Sequence, residues 1–352
     1  MKLCITGTRG HNGYVFKDLA ELANLELAGI SAGCPEDSLD GLRRQCARAG
    51  LSPAEYGDYR AMLDQVQPDI VSVAGPNELH AEMSAEAMKR GAAVFCEKPV
   101  ATELDGLERL EQEHKRSGVH FAAMMGLRYH PAFLSAWRCV NSGEIGEVRL
   151  VSARKSYKLG KRPAWYGNRE TYGGTIPWVG SHAIDWIYWF GGSFRSVYAR
   201  HSRRGNRGNG DLEMSAVCAF ELESEAFGAA EIDYFRPDGA TGHGDDRVRV
   251  VGTDGVVEVM KGKAYLAGAK SGEEKEIPPA KGPGIFQDFV ENVGGGGGLI
   301  GPADTFAVTR ACLLARQSAD EKREIHFGQS DTYNRKGQSG SALKGPWSGS
   351  GP

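Results

Sequence analysis

Glu97-Lys98-Pro99 ends a short apolar run, Ala92-Ala93-Val94-Phe95-Cys96, that follows Gly91. Such a run reads as a strand buried on both faces of a parallel sheet. A charged pair at its exit lies at the carboxyl edge, where open α/β sheets bind ligands. An ammonium partly desolvated beside a ligand falls towards neutral pKa and can exchange a proton with a hydroxyl, so Lys98 is the first candidate for acid–base chemistry. Pro99 fixes its own φ and biases Lys98 towards an extended conformation that aims the side chain. A strand-end salt bridge for Glu97 is the competing reading, and the tripeptide alone favours it. His182 is the second candidate, at the start of a helix expected over 181–190. Its imidazole can donate a hydrogen bond to a hydroxyl or take its proton near neutral pH. A basic and aromatic loop with Lys158, Lys161, Arg162, Trp165, Tyr166 and Arg169 suits a polyhydroxylated or carboxylated substrate, and equally a solvated surface loop.

The elements that must hold these residues begin with a strand over 2–6, the loop Gly7-Thr8-Arg9-Gly10-His11-Asn12-Gly13, and a helix with apolar residues at Val15, Phe16, Leu19, Leu22 and Ala23. Strand, glycine loop and helix together place backbone N–H groups and a positive helix end against a pyrophosphate. The glycines match G-x-G-x-x-G only if Thr8 stands in the first slot, with Gly7 just before it. The second strand, 25–31, ends in Ser31 rather than in the Asp or Glu that holds an NAD ribose. Ser31 with Arg9 or Arg43 suits a 2′-phosphate, so the cofactor is NAD or NADP with a lean to NADP. The competing arrangement has Glu36 or Asp37 reaching back to the ribose. Helices over 38–49, 59–66, 81–90 and 103–116, the third capped at its end by Gly91 and the last begun by Thr102, alternate with strands over 69–74, 92–96 and 119–124. That alternation predicts a doubly wound parallel sheet.

The chain has 352 residues, a net charge of −3, 25% charged and 41% hydrophobic residues. It is long enough for two domains, and its charge gives no electrostatic argument for nucleic acid or an anionic membrane. Seven cysteines are scattered with no C-x-x-C pair, which suggests reduced thiols, no zinc site and a cytoplasmic protein. No apolar run is long enough to span a bilayer, and the chain enters its first strand without a signal peptide. No His, Cys and carboxylate set has metal-ligand spacing.

The stretch "VAGPNELHAEMSAEAMKRGAAVFCEKPVAT" over 73–102 resembles the signature of the Gfo/Idh/MocA oxidoreductases: Pro-Asn-x-x-His, a helix, then a strand ending Glu-Lys-Pro. The resemblance continues through Arg128-Tyr129-His130-Pro131-Ala132-Phe133, Gly143-Glu144-Ile145-Gly146, Gly173-Gly174 and Gly180-Ser181-His182-Ala183-Ile184-Asp185, and covers residues 1–327. It implies that Lys98 is the catalytic lysine and that His182 faces substrate beside it. By the same resemblance Ala74, Gly75, Pro76, Asn77, His80 and Glu97 join Gly7–Gly13 and Ser31 around the cofactor. Lys98, Tyr129, Lys155, Tyr157, Arg162, Trp165, Trp178, His182 and Asp185 would line the substrate. Many members carry an Asp four residues before this His, completing a proton relay, whereas this chain has Trp178 there, and indole cannot accept a proton. Asp185, one helical turn after His182, could orient it or make only a structural contact, and Trp178 could stack on a substrate ring.

The second half predicts a helix over 131–141 opened by Pro131, a strand over 148–157, and strands over 214–221, 226–234, 247–251, 255–260 and 263–267. Helices over 285–293 and 304–319 close the fold, joined across the five glycines 294–298. The expected fold is an α/β Rossmann domain (1–127) with a C-terminal α+β domain (128–328) built on a large, mainly antiparallel open sheet. The Gly/Ser-rich stretch 329–352 reads as an appendage outside that fold. The expected activity is NAD(P)-dependent oxidation or reduction of a sugar, cyclitol or related polyol by a homo-oligomer (dimer or tetramer). One alternative is a glycosidase or lyase that retains its nucleotide and oxidises, eliminates and re-reduces. Another is a non-catalytic sugar sensor.

Overall fold

The computed structural model describes residues 1–268 and 273–328, so the stretch 329–352 lies outside the described residues. Six strands, β1 (Lys2–Thr6), β2 (Glu26–Ser31), β3 (Ala54–Tyr56), β4 (Ile70–Val73), β5 (Ala93–Cys96) and β6 (Phe121–Ala123), form one sheet in the order β3-β2-β1-β4-β5-β6. Every neighbouring pair in it is parallel. Every residue of β4 and β5 is buried, as the unbroken apolar runs require of strands covered on both faces. The strand order reverses between β1 and β4, and that switch point opens a crevice at the carboxyl ends. The glycine loop leaves β1 there, its Arg9 N–H donating to the Ala74 carbonyl at the end of β4 (2.8 Å).

Helices Gly13–Leu19, Asp40–Arg48, Tyr59–Val66, His80–Lys89 and Leu104–Ser117 fill the connections. The last begins one residue later than expected. Its N-cap is Glu103, in extended conformation, because Thr102 is drawn inward and its carbonyl accepts from Arg316 Nη1 at 2.7 Å.

The second sheet has nine strands: β7 (Val148–Tyr157), β8 (Phe194–Ser202), β9 (Ser215–Leu222), β10 (Phe227–Asp233), β11 (Gly244–Gly252), β12 (Gly255–Met260), β13 (Lys263–Gly268), β14 (Lys275–Ile277) and β15 (Ile325–His326). They run in the order β14-β13-β12-β11-β7-β10-β9-β8-β15, all antiparallel except the parallel pair β7–β10. Helices Ser181–Gly191 and Pro302–Glu321 cover its inner face. Its outer face leaves Leu150, Tyr198, Val217 and Phe227 exposed. Among the described residues no helix is long and apolar enough to cross a membrane.

One buried ion cluster fastens the layers. Arg128, fully buried in the turn Gly126–Tyr129, donates Nε to both Asp185 oxygens (3.0 Å each) and Nη1 to Asp304 (3.1 Å). Asp185 is therefore a structural counter-ion. Its carboxylate shares with Asp304 the charge compensation of that buried guanidinium. Replacing Asp185 with Ala should destabilise the protein by about 3–5 kcal/mol, seen as a lower urea midpoint at unchanged slope.

Candidate active site

The glycine loop has room for nothing larger than glycine at two positions. Gly7 and Gly10 have φ of +95° and +85°. A Cβ on Gly7 would lie 2.1 Å from the Gly75 nitrogen, and one on Gly10 2.3 Å from Glu97 Oε2. These close approaches bring β1, β4 and β5 to one point at the carboxyl edge of the sheet, where open α/β folds bind nucleotides. Asn12, buried, ties the loop by donating to the Gly7 carbonyl (3.1 Å). Glu97 ties it from the other side, with Oε2 accepting from the His11 N–H (2.6 Å) and lying 2.7 Å from His11 Nδ1. Burial pushes the Glu97 carboxyl up, but His11 and then Lys98 outweigh burial and hold its pKa below the ordinary value. Glu97 is an anchor, ionised and already partnered.

Lys98 follows it, 2% exposed. Its Nζ donates to the Trp178 carbonyl (2.7 Å) and lies 4.3 Å from the Trp178 ring centroid. Burial lowers its pKa to about 8; Glu97 opposes that shift and the nearby Lys155 cation adds to it. Lysine there exchanges protons within the physiological range. His182 is buried, its pKa held well below the ordinary value by burial and then by Lys155 and Lys98. It is a neutral imidazole whose Nδ1 is buried and has no hydrogen-bond partner among the described residues. An orphaned ring nitrogen beside an ammonium is a ready hydrogen-bonding site for a substrate hydroxyl.

Comparison with known proteins bears on this geometry. Residues 2–125 match the family model described as oxidoreductase family, NAD-binding Rossmann fold, and residues 133–258 match the GFO/IDH/MocA C-terminal domain. The chain belongs to the Gfo/Idh/MocA oxidoreductases. A solved structure from Thermotoga maritima, named only as an oxidoreductase, is 42% identical, with a TM-score of 0.89, covering 93% of this chain and all of that one (100%). D-xylose 1-dehydrogenase (NADP(+)) 2 of Haloferax volcanii is 30% identical over 190 residues, 52% of this chain and 58% of that protein. Inositol 2-dehydrogenase of Salmonella typhimurium is 26% identical over 174 residues, 49% of each. The chain spans about half the length of the curated relatives it matches. Levoglucosan dehydrogenase in complex with NADH and L-sorbose shares the fold at 19% identity, with a TM-score of 0.79, covering 94% of this chain and 99% of that one.

Within this Gfo/Idh/MocA frame several expected contacts are redirected. His80 is fully buried with Nδ1 2.8 Å from the Pro99 carbonyl and Nε2 2.9 Å from the Gly75 carbonyl, so neither ring nitrogen is free for a cofactor. It links the two loops that end β4 and β5. Asn77 Nδ2 donates to the Tyr172 carbonyl (3.1 Å), leaving its buried Oδ1 without a partner. Tyr129 donates its hydroxyl to Asp288 (2.6 Å) and so is held by the helix Ile285–Glu291 rather than by a substrate. Ser31 is buried and donates to Thr6 Oγ1 (3.2 Å), Arg43 pairs with Glu55 (2.7 Å), and Arg9 pairs with Asp37 (2.8 Å). The three groups expected around a 2′-phosphate thus already have partners inside the protein. Thr8, Gly13, Ala74 and Pro76 flank the cradle at the same crevice, and Gly13 has open space beside it.

Around Trp178 lies a cage of rings. Trp178 meets Trp165 (5.9 Å) and Tyr166 (6.0 Å) edge-on, and Tyr157 lies beside Tyr234 and His243. The Trp178 ring, held edge-on by these two, also lies over the Lys98 ammonium. Lys155, 2% exposed along its side chain, pairs with Asp246 at 2.7 Å. Asp246, which no sequence motif singles out, joins Lys155 at this site. It stands directly opposite Lys155 in the β11–β7 register, a pairing that local alternation does not reveal. If Trp178 is replaced by Asp, a carboxylate should stand beside Lys98 and favour its charged form. The rising limb of the pH–rate profile for alcohol oxidation, expected near 8, should then move up by roughly one unit or more.

Proposed function

We propose that this protein is an NAD-dependent dehydrogenase acting on a sugar, cyclitol or related polyol, with Lys98 and His182 handling the hydroxyl proton. The observation that carries the reading is the Lys98 ammonium at the carboxyl edge of β5, desolvated to a pKa of about 8 and without a carboxylate partner among the described residues. The glycine cradle fits a dinucleotide, and the backbone of Gly7–Gly13 and of Ala74–Pro76 would hold it. When bound, nicotinamide supplies the hydride acceptor for alcohol oxidation. In that direction neutral Lys98 takes the hydroxyl proton as the carbinol carbon loses its hydrogen, and in carbonyl reduction the ammonium returns it. His182 Nδ1 positions the same oxygen by a hydrogen bond, and the rings of Trp165, Tyr166 and Trp178 exclude water and cover the apolar face of a sugar.

NAD rather than NADP is the reading for the nucleotide. Asp37 follows β2 with its Oδ1 paired to Arg9, and its Oδ2 is buried with no hydrogen-bond partner among the described residues. A carboxylate oxygen in that state suits a ribose 2′-hydroxyl and repels a 2′-phosphate. Asp37→Ser should raise KM for NAD about tenfold and narrow the preference over NADP, measured with both nucleotides at saturating substrate. The exposed apolar residues of β7–β10 support a homo-oligomer, dimer or tetramer, paired through the outer face of the large sheet.

Lys98→Met is the central test. It should lower kcat roughly 100- to 10,000-fold while NADH still binds, as read by nucleotide fluorescence. Unaltered turnover would sink the reading, as would failure of the native protein to bind either nucleotide. Trp178 in the position of the relay Asp favours one second reading, a redox-neutral elimination on retained nucleotide. Native mass spectrometry of the purified protein separates the two: nucleotide carried through purification supports the closed cycle, and a nucleotide-free protein supports an exchanging dehydrogenase.

A further inference from the structure

The charges around the ring cage do not balance. The two carboxylates that act on Lys98 are both partnered, Glu97 by His11 and Asp246 by Lys155, and Glu213 at the edge of the rings pairs with Arg169. Two cations near the cage, Lys98 and Arg162, form no ion pair among the described residues: Lys98 meets a carbonyl and a ring face, and Arg162 meets a carbonyl, two ring faces and the Tyr166 side chain. Arg162 lies against Tyr166 (5.1 Å to the centroid) and Tyr234 (4.8 Å), and its Nη2 donates to the Lys158 carbonyl at 2.7 Å. Its Nε is buried with no hydrogen-bond partner, and Arg162 forms no ion pair among the described residues. The buried arginines Arg128, Arg310 and Arg316 each meet a carboxylate, Asp185, Glu111 and Glu103 respectively, and the half-buried Arg162 does not. A half-buried guanidinium with an unused donor and no ion pair offers an arriving anion a ready partner.

The rings connect this group to the chemistry. Tyr166, under Arg162, contacts Trp178, and Trp178 lies over Lys98. From a guanidinium with no ion pair and an orphaned Nε, and from the orphaned His182 Nδ1, we infer that the substrate is a sugar acid, an aldonate or uronate, whose carboxylate pairs with Arg162 while a hydroxyl is presented to Lys98 and His182. A planar guanidinium fork matches a carboxylate in two parallel hydrogen bonds. A phosphate dianion calls for several converging donors, and the partnered Lys155 does not supply them. This inference rests on the dehydrogenase reading above and narrows its substrate class.

The test is titration of the enzyme–NADH complex, read by nucleotide fluorescence, with D-gluconate, D-glucuronate and D-galacturonate against D-glucitol, D-glucose and D-galactose, and with D-glucose 6-phosphate as a third arm. At least one acid should bind roughly ten- to hundredfold more tightly than its neutral counterpart. That advantage should collapse in Arg162→Met and survive in part in Arg162→Lys, both variants first shown to bind NADH. Neutral compounds binding as tightly as every acid, glucose 6-phosphate binding best, or an acid advantage unchanged in Arg162→Met would each overturn the inference. If NADH binds and neutral polyols are preferred, the sugar-acid class falls while the dehydrogenase reading stands. If NADH does not bind, both fall.

Discussion

The placement of one ammonium inside the protein is the constraint on which this site depends. Lys98 leaves the end of a fully buried strand and must find a partner where water is scarce. It finds the Trp178 carbonyl and the face of the same residue's ring, and both come from the other half of the molecule. A carbonyl and a π face stabilise a cation less than a carboxylate does. The lysine is thus kept in place without being locked in its charged form. Burial lowers its pKa, and among the described residues no ion pair is present to reverse the shift. Glu97, the nearest carboxylate in sequence, is turned away to the glycine loop, and this separation keeps the two from neutralising one another.

Trp178 gains a role in this light. Where the family resemblance leads one to expect an acid this chain has an indole, whose ring lies over Lys98 while the backbone oxygen of the same residue accepts its hydrogen bond. Lys155 reinforces the effect from β7. Itself held by Asp246 across the β11–β7 pairing, it places a second positive charge near Lys98 and His182 and pushes the pKa of each down. Proton exchange at the lysine and neutrality at the histidine therefore share causes: burial first, and a neighbouring cation second.

Much of this was legible in the sequence because the governing patterns are local. Uninterrupted apolar runs for β4 and β5, Gly91 ending a helix, and the signature over 73–102 fixed the parallel sheet and located Lys98 at its edge. The helices Tyr59–Val66 and Pro131–Asn141 fall where their periodicity and their caps put them. What escaped was set by partners distant in sequence. Strand β8 carries Arg195, Arg200 and His201, charges that hide its alternation until β9 and the helix Pro302–Glu321 cover its inner residues. β3 has three residues, none of them buried, so no periodicity marks it. Asp185, Tyr129, His80 and Ser31 look like site residues because of where they stand in motifs, but a side chain's direction is decided by which buried charge or carbonyl most needs it.

The same logic explains why the unsatisfied groups are informative. Asp185 and Tyr129 each have a protein partner that completes them, and a completed group has little left to offer a ligand. Asp37 Oδ2, His182 Nδ1 and Arg162 Nε are buried and incomplete. They fall at three stations of one path, from the end of β2 past the carboxyl edge of β5 to the ring cage. An acceptor for a ribose hydroxyl, a hydrogen-bonding nitrogen beside a proton-exchanging lysine, and a donor for a carboxylate make a consistent sequence of needs. A nucleotide and an anionic sugar lying along that path would satisfy all three, and burial that is costly in the ligand-free protein becomes the source of selectivity once they bind.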